Sequence, residues 1–172
     1  MNIALVAHDS RKKELIEWVT YNFHMLRKHK LYATGTTGKM IKKAYLDWWE
    51  ELENEHDVAP MVDNWEKHEE EASKLVTCLH SGPLGGDQEI GSMIANGDVK
   101  VLIFFCDNLI QQGHQNDVSA LTRLASLYNI AFATNRTTAD MIITSPLLDQ
   151  MENGKYEPVV PAAIENYKNR VI

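Results

Sequence analysis

Asp87 stands at the end of SGPLGGDQ (81–88), behind three glycines and a proline. Glycines this close let backbone approach a ligand, or turn where a Cβ would clash. A carboxylate delivered by such a loop can take a proton from a bound carbon acid. It can equally cap the helix that the next residues open, a role aspartate fills well. This stretch alone fits both. TGTTG (34–38) poses the same choice. Thr34, Gly35, Thr36 and Thr37 bring hydroxyls and pliable backbone to a helix start, where free N–H groups and the helix dipole favour a phosphate. The segment is neither a Walker loop nor a GxGxxG fingerprint. An ordinary capped strand-to-helix turn would look the same.

His8 and Asp9 follow an apolar run, and Arg11, Lys12 and Lys13 come next, so one cation can reach a bound anion. Asp107, His114 and Asp117 fall together farther on. A histidine among several carboxylates suits proton transfer. A metal site is the rival, but the chain contains no HxH or HExxH pair. A serine triad lacks its GxSxG elbow. Ser81 and Gly82 open the glycine-rich loop and belong to the same group of candidates.

Those residues need a frame. NIALVA (2–7), LYAT (31–34), LVTCLH (75–80), KVLIFFC (100–106) and IAFAT (130–134) read as strands. Residues 10–29 carry apolar side chains at helical spacing, and further helices are predicted from 35, over 88–97 and 117–129, after 136, and in PAAIENYKNR. Gly97 suits a helix C-cap. Strands alternating with helices predict a single α/β domain over residues 1–172, a three-layer sandwich around a five-stranded, mainly parallel sheet. Ligands bind beyond the carboxyl ends of such strands. HDS (8–10), TGTTG, SGPLGGD, 107–117 and TNRTT (134–138) are those ends, and they hold nearly every candidate above. The residues alone thus predict a site that binds a small phosphorylated metabolite and moves protons with carboxylates and a histidine.

Composition narrows the class. The chain has 172 residues, 44% hydrophobic, and a net charge of −7. Acidity is concentrated in residues 44–80, so the remainder can receive an anion. No basic stripe suggests nucleic acid. VLIFFC is too short to span a membrane. No basic leader precedes the first apolar run, which points to the cytoplasm. Cys78 and Cys106 fit no metal or redox spacing and are expected to be buried free thiols.

IALVAHD with Lys12, LYATGTTG, SGPLGGDQ, VLIFFCD, His114 with Asp117, and AFATN followed by TAD together resemble the methylglyoxal synthase family, in the family's order. The resemblance implies conversion of dihydroxyacetone phosphate to methylglyoxal and phosphate, with no metal and no organic cofactor. It implies Asp87 as catalytic base, with His114 and Asp117 also catalytic. It implies substrate contacts from His8, Lys12, Thr34, Gly35, Thr36, Thr37, Ser81, Gly82 and His114, with Asp9 and Asp107 as supporting acids. It further implies a homohexamer inhibited by phosphate. Asn108 replaces a usual proline, and HQND (114–117) replaces a frequent HDPD. A related fold resembles the effector-binding regulatory domain of carbamoyl phosphate synthetase, so a non-catalytic binding role is the alternative.

The resemblance leaves out residues 45 to about 78, where this chain is longer than typical members. Ile41, Tyr45, Trp48, Trp49 and Leu52 recur at helical spacing, as do Val62, Trp65 and Ala72, with Pro60 between the runs. A helical hairpin inserted at about 45–74 is expected, tryptophans inward. Packing on its own subunit and a contact between subunits are both open; a lid over an anion is disfavoured by the acids.

Overall fold

A computed structural model describes residues 1–55, 64–110, 113 and 115–169. Five strands, β1 (Asn2–Ala7), β2 (Lys30–Thr34), β3 (Val76–Leu79), β4 (Val101–Phe105) and β5 (Ala131–Ala133), form one sheet in the order β3-β2-β1-β4-β5. Every pairing is parallel. The expected sheet is therefore present, and it is wholly parallel rather than mainly so.

The helices are α1 (Lys12–Tyr21), α2 (Phe23–Leu26), α3 (Gly35–Glu55), α4 (Asn64–Leu75), α5 (Gly86–Ala95), α6 (Gln115–Leu127), α7 (Arg136–Ile143), α8 (Pro146–Glu152) and α9 (Ala162–Lys168). Alternation along the strands sorts the core into two layers. Ile3, Leu5, Val101, Ile103 and Phe105 face α1, α3 and α7. Ala4, Val6, Leu102 and Phe104 face α5 and α6. Strands buried on both faces read as continuous apolar runs, which is why VLIFF needs no polar alternation.

Some differences from the sequence reading have local causes. The helix expected over 10–29 stops at Tyr21 and resumes at Phe23. Buried Asn22 turns its side-chain amide onto the Trp18 carbonyl at 2.9 Å, a bond that competes with the helical ladder. Helix α8 was not anticipated, although its signal is conventional: Ser145 caps it and Pro146 occupies the first turn. Cys78 is exposed rather than buried, because β3 is an edge strand; Cys106 is half-buried, and burial pushes its thiol up to about 11.

The segment expected to be a hairpin packs at least partly on its own subunit. Tyr45 is core, and Trp48 and Trp49 lean against it, with Trp49 stacked on His68 of α4 at 4.7 Å. Trp65 is exposed, against the inward expectation. Pro60 and Val62 lie outside the described residues. On the same side of the sheet, the Trp18 indole donates to Asp140 of α7 at 2.7 Å. A buried donor left unsatisfied costs ~1–3 kcal/mol, so Asp140 anchors α7 to α1.

Candidate active site

The strand order makes a crevice. From β1 the chain builds one flank, β2 then β3, and returns to β4 on the other side. Ligands of open parallel sheets bind where the winding reverses, here at the carboxyl ends of β1 and β4. A cleft of ≈ 740 Å³ opens at this edge. Four of the five expected strand exits reach it: His8, Asp9 and Lys12 after β1, Thr34 at the end of β2 with Thr36 just beyond, Ser81, Gly82 and Asp87 after β3, and Asp117 after β4; the fifth, TNRTT (134–138), contributes no lining residue.

His8 is fixed from behind. The Asp107 backbone N–H donates to its Nδ1 at 2.8 Å, and Phe104 meets the ring edge-on at 5.1 Å. An Nδ1 that accepts a backbone N–H carries no proton, so the neutral ring holds its proton on Nε2. The β4 exit thereby sets which nitrogen of His8 can donate. Asp107 has a second task. Its carboxylate accepts from Ser10 Oγ at 2.5 Å and from the Leu109 N–H at 2.9 Å, and these bonds hold it below the usual carboxylate range. It ties two strand exits together and is absent from the cleft wall.

Lys12 heads α1 and brings the cation. Its ammonium rests on Asp9 Oδ1 at 2.5 Å, but the Asp9 side chain is 92% exposed. An ion pair so open to water is weak, so Lys12 can turn to a bound anion at little cost. Opposite it starts α3, 21 residues long. Its first N–H groups and dipole favour negative charge. Thr36 is on the cleft wall at this start, whereas Thr37 is buried and off the wall.

Asp87 is 3% exposed and is the second residue of α5. The N-cap position of that helix is Gly85, in the left-handed region at φ 107°, so Asp87 does not occupy it. The other glycines explain the close packing. A Cβ on Gly86 would stand 2.1 Å from the His80 carbonyl oxygen. The Gly35 N–H donates to the same oxygen at 3.1 Å, and a Cβ at Gly35 would meet Ser81 backbone at 2.9 Å. The loop that carries Asp87 and the loop that starts α3 are thus in backbone contact.

The structure therefore brings His8, Asp9, Lys12, Thr34, Thr36, Ser81, Gly82, Asp87 and Asp117 to one wall, with Gly35 directly behind. His114 lies outside the described residues, between Gly113 and Asn116, both on the wall. Asn116 was not among the expected residues; its place beside Asp117 at the start of α6 was the available signal. Glu89 is the fourth residue of α5. It binds His80 twice, through the backbone N–H at 2.9 Å and through Nδ1 at 2.7 Å.

A wholly parallel α/β sheet with a lysine, a helix start and a buried carboxylate at its switch point belongs to the class of α/β domains that bind ligands at the carboxyl ends of their strands. The model of the family described as MGS-like domain matches residues 63–134. A methylglyoxal synthase of Coxiella burnetii is 41% identical over 170 residues, covering 99% of this chain and 96% of that protein. One of Maridesulfovibrio salexigens is 47% identical over 148 residues, covering 86% and 85%. The crystal structure of methylglyoxal synthase from Elizabethkingia anophelis superposes with a TM-score of 0.70 at 36% identity, covering 99% of this chain and 91% of that one. The chain belongs to the methylglyoxal synthase family.

Proposed function

We propose that this protein eliminates phosphate from dihydroxyacetone phosphate and releases methylglyoxal. The observation that carries the reading is Asp87: a carboxylate 3% exposed, at a helix start, on the same cleft as Lys12 and the start of α3. The phosphate would sit between Lys12 and the Thr36 turn, and the ketone would face His8. Asp87 removes a proton from the hydroxymethyl carbon. The C–H electron pair becomes the C=C bond of an enediolate, and charge gathers on the former carbonyl oxygen. In this reading His8 donates there through Nε2–H, since its Nδ1 accepts the Asp107 N–H. His114 and Asp117 belong to the same proposal as the groups that handle later protons.

Elimination then follows. The hydroxyl proton leaves, an aldehyde C=O forms, and the C–O bond to phosphate breaks with its electron pair. Protonation of the remaining enol at its terminal carbon gives the methyl group. No electrons are gained or lost overall. Positioning is the main contribution, since a held carboxylate and preset donors replace the disorder of water. Phosphate, as a product, would occupy the same cradle and inhibit. A homohexamer, a cytoplasmic location and a bypass of glycolysis belong to this reading through the resemblance.

The alternative, an effector-binding domain, needs the anion cradle but gives no work to a buried Asp87. Incubating the protein with dihydroxyacetone phosphate should yield methylglyoxal and phosphate in equal amounts. Folded protein that binds phosphate but forms neither product would establish the effector-binding alternative.

A further inference from the structure

His80 is the last residue before the loop that carries Asp87, and it is held on three sides. Its N–H donates to Glu89 Oε2 at 2.9 Å, and its ring Nδ1 meets Glu89 Oε1 at 2.7 Å. Its carbonyl accepts the Gly35 N–H at 3.1 Å and abuts Gly86, the residue before Asp87. Glu89 is itself fixed on α5, where its N–H donates to Gly85 at 3.0 Å. A single carboxylate thus closes a ring running from the end of β3 through the glycine-rich loop into α5, with Asp87 inside it. The same His80 residue touches the start of α3 on its other side.

We propose that Glu89 is a positioning residue, clamping His80 so that Asp87 and the phosphate-binding start of α3 keep their spacing. The proposal rests on the reaction assigned above. Solvent separates the clamp's energetic role from its geometric one. The His80 and Glu89 side chains are 70% and 38% exposed, so the pair adds little to global stability. Its leverage is positional, because a shift of about 1 Å at a reacting group can cost ~10²-fold in rate. The bond to the His80 backbone N–H carries the effect. The bond to the ring is auxiliary.

Three variants test this: Glu89→Ala, Glu89→Gln and His80→Ala. Glu89→Ala should lower kcat by ~10-fold with KM changed by no more than about twofold, and its urea midpoint should match the parent. The deuterium isotope effect on kcat, with substrate labelled at the hydroxymethyl carbon, should rise as proton removal becomes limiting. Glu89→Gln should recover most of the rate, since its amide oxygen still accepts the His80 N–H. His80→Ala should stay within about twofold of the parent, because the backbone bond remains. The proposal falls if Glu89→Ala keeps its kcat, if Glu89→Gln is equally slow, or if the rate loss tracks loss of folded protein. A parent chain without lyase activity would instead remove the reaction. Amide hydrogen exchange then decides the clamp: faster exchange at His80 and Gly35 in Glu89→Ala supports it, and unchanged exchange overturns it.

Discussion

Two histidines of equal burial mark opposite ends of the sheet. His8, 5% exposed, follows β1 at the carboxyl edge; His29, 6% exposed, precedes β2 at the amino edge. His8 takes a backbone N–H on Nδ1 and lines a cleft with Lys12, Thr36 and Asp87. His29 instead turns Nδ1 to Glu152 at 3.2 Å, and the same carboxylate oxygen receives the ammonium of Met1 at 2.9 Å. The first arrangement sits on the wall of the cleft. The second satisfies the ring inside a junction between the chain start, β2 and α8. Residue type and burial are alike, so what separates the two is the partner of Nδ1 and the edge of the sheet on which the ring lies.

The comparison is most strongly tested at the cleft end. Asp87→Asn should fold and still bind phosphate while losing ~10²–10⁴-fold in turnover, the usual cost of a missing positioned base. Initial rates beside phosphate titration would show it, and retained turnover would reduce Asp87 to part of a helix start. His8→Gln should lower kcat by ~10²-fold, as for other lost donors to a developing oxyanion. His29→Gln should leave kcat within about twofold of the parent. Equal losses in the two variants would break the contrast between the ends. Gly86→Ala acts on geometry alone. Its Cβ would stand 2.1 Å from the His80 oxygen, so the loop must move. An overpacked site of this kind costs ~1–3 kcal/mol, measurable by urea unfolding, and kcat should fall with Asp87 displaced.

The carboxyl edge was largely legible in the sequence. Apolar runs marked the strands, and polar residues beyond the first four of them mapped onto one wall because a parallel sheet gathers its exits at one edge, although Asp107 and the 134–138 exit stay off it. Contacts between distant residues were not legible. Nothing local to Asp107 says that its carboxylate belongs to Ser10, 97 residues away, and nothing local to Asp140 points to Trp18, 122 residues away. Asp87 read more readily as a helix cap than as a base until Gly85 was seen to take the capping position. Glu89 looked like a solvated acid in a first helical turn, because its meaning lies in the His80 peptide across the loop.

The amino edge offers the smallest and most selective test. Burial, helped by the Met1 ammonium and Lys28, lowers the His29 pKa from its ordinary 6.5, while Glu152 opposes the shift. The native protein therefore binds less proton at His29 than the unfolded chain does just below pH 6.5. This contribution to stability is complete above the unfolded value and is lost as pH falls through the folded one. Its slope cannot exceed ~1.4 kcal/mol per pH unit, the limit for one proton, and Glu152 makes it smaller. His29→Gln retains an amide that can donate to Glu152 but removes the titration. Urea midpoints at pH 7.5 and pH 5.5 should drop more for the parent than for the variant, with kcat of the two proteins following the same pH profile. Equal drops in midpoint would mean that His29 is protonated as readily inside the fold as outside it. Its junction with Glu152 and Met1 would then be an ion pair rather than a buried neutral ring, and the distinction from His8 would have to rest on the cleft alone.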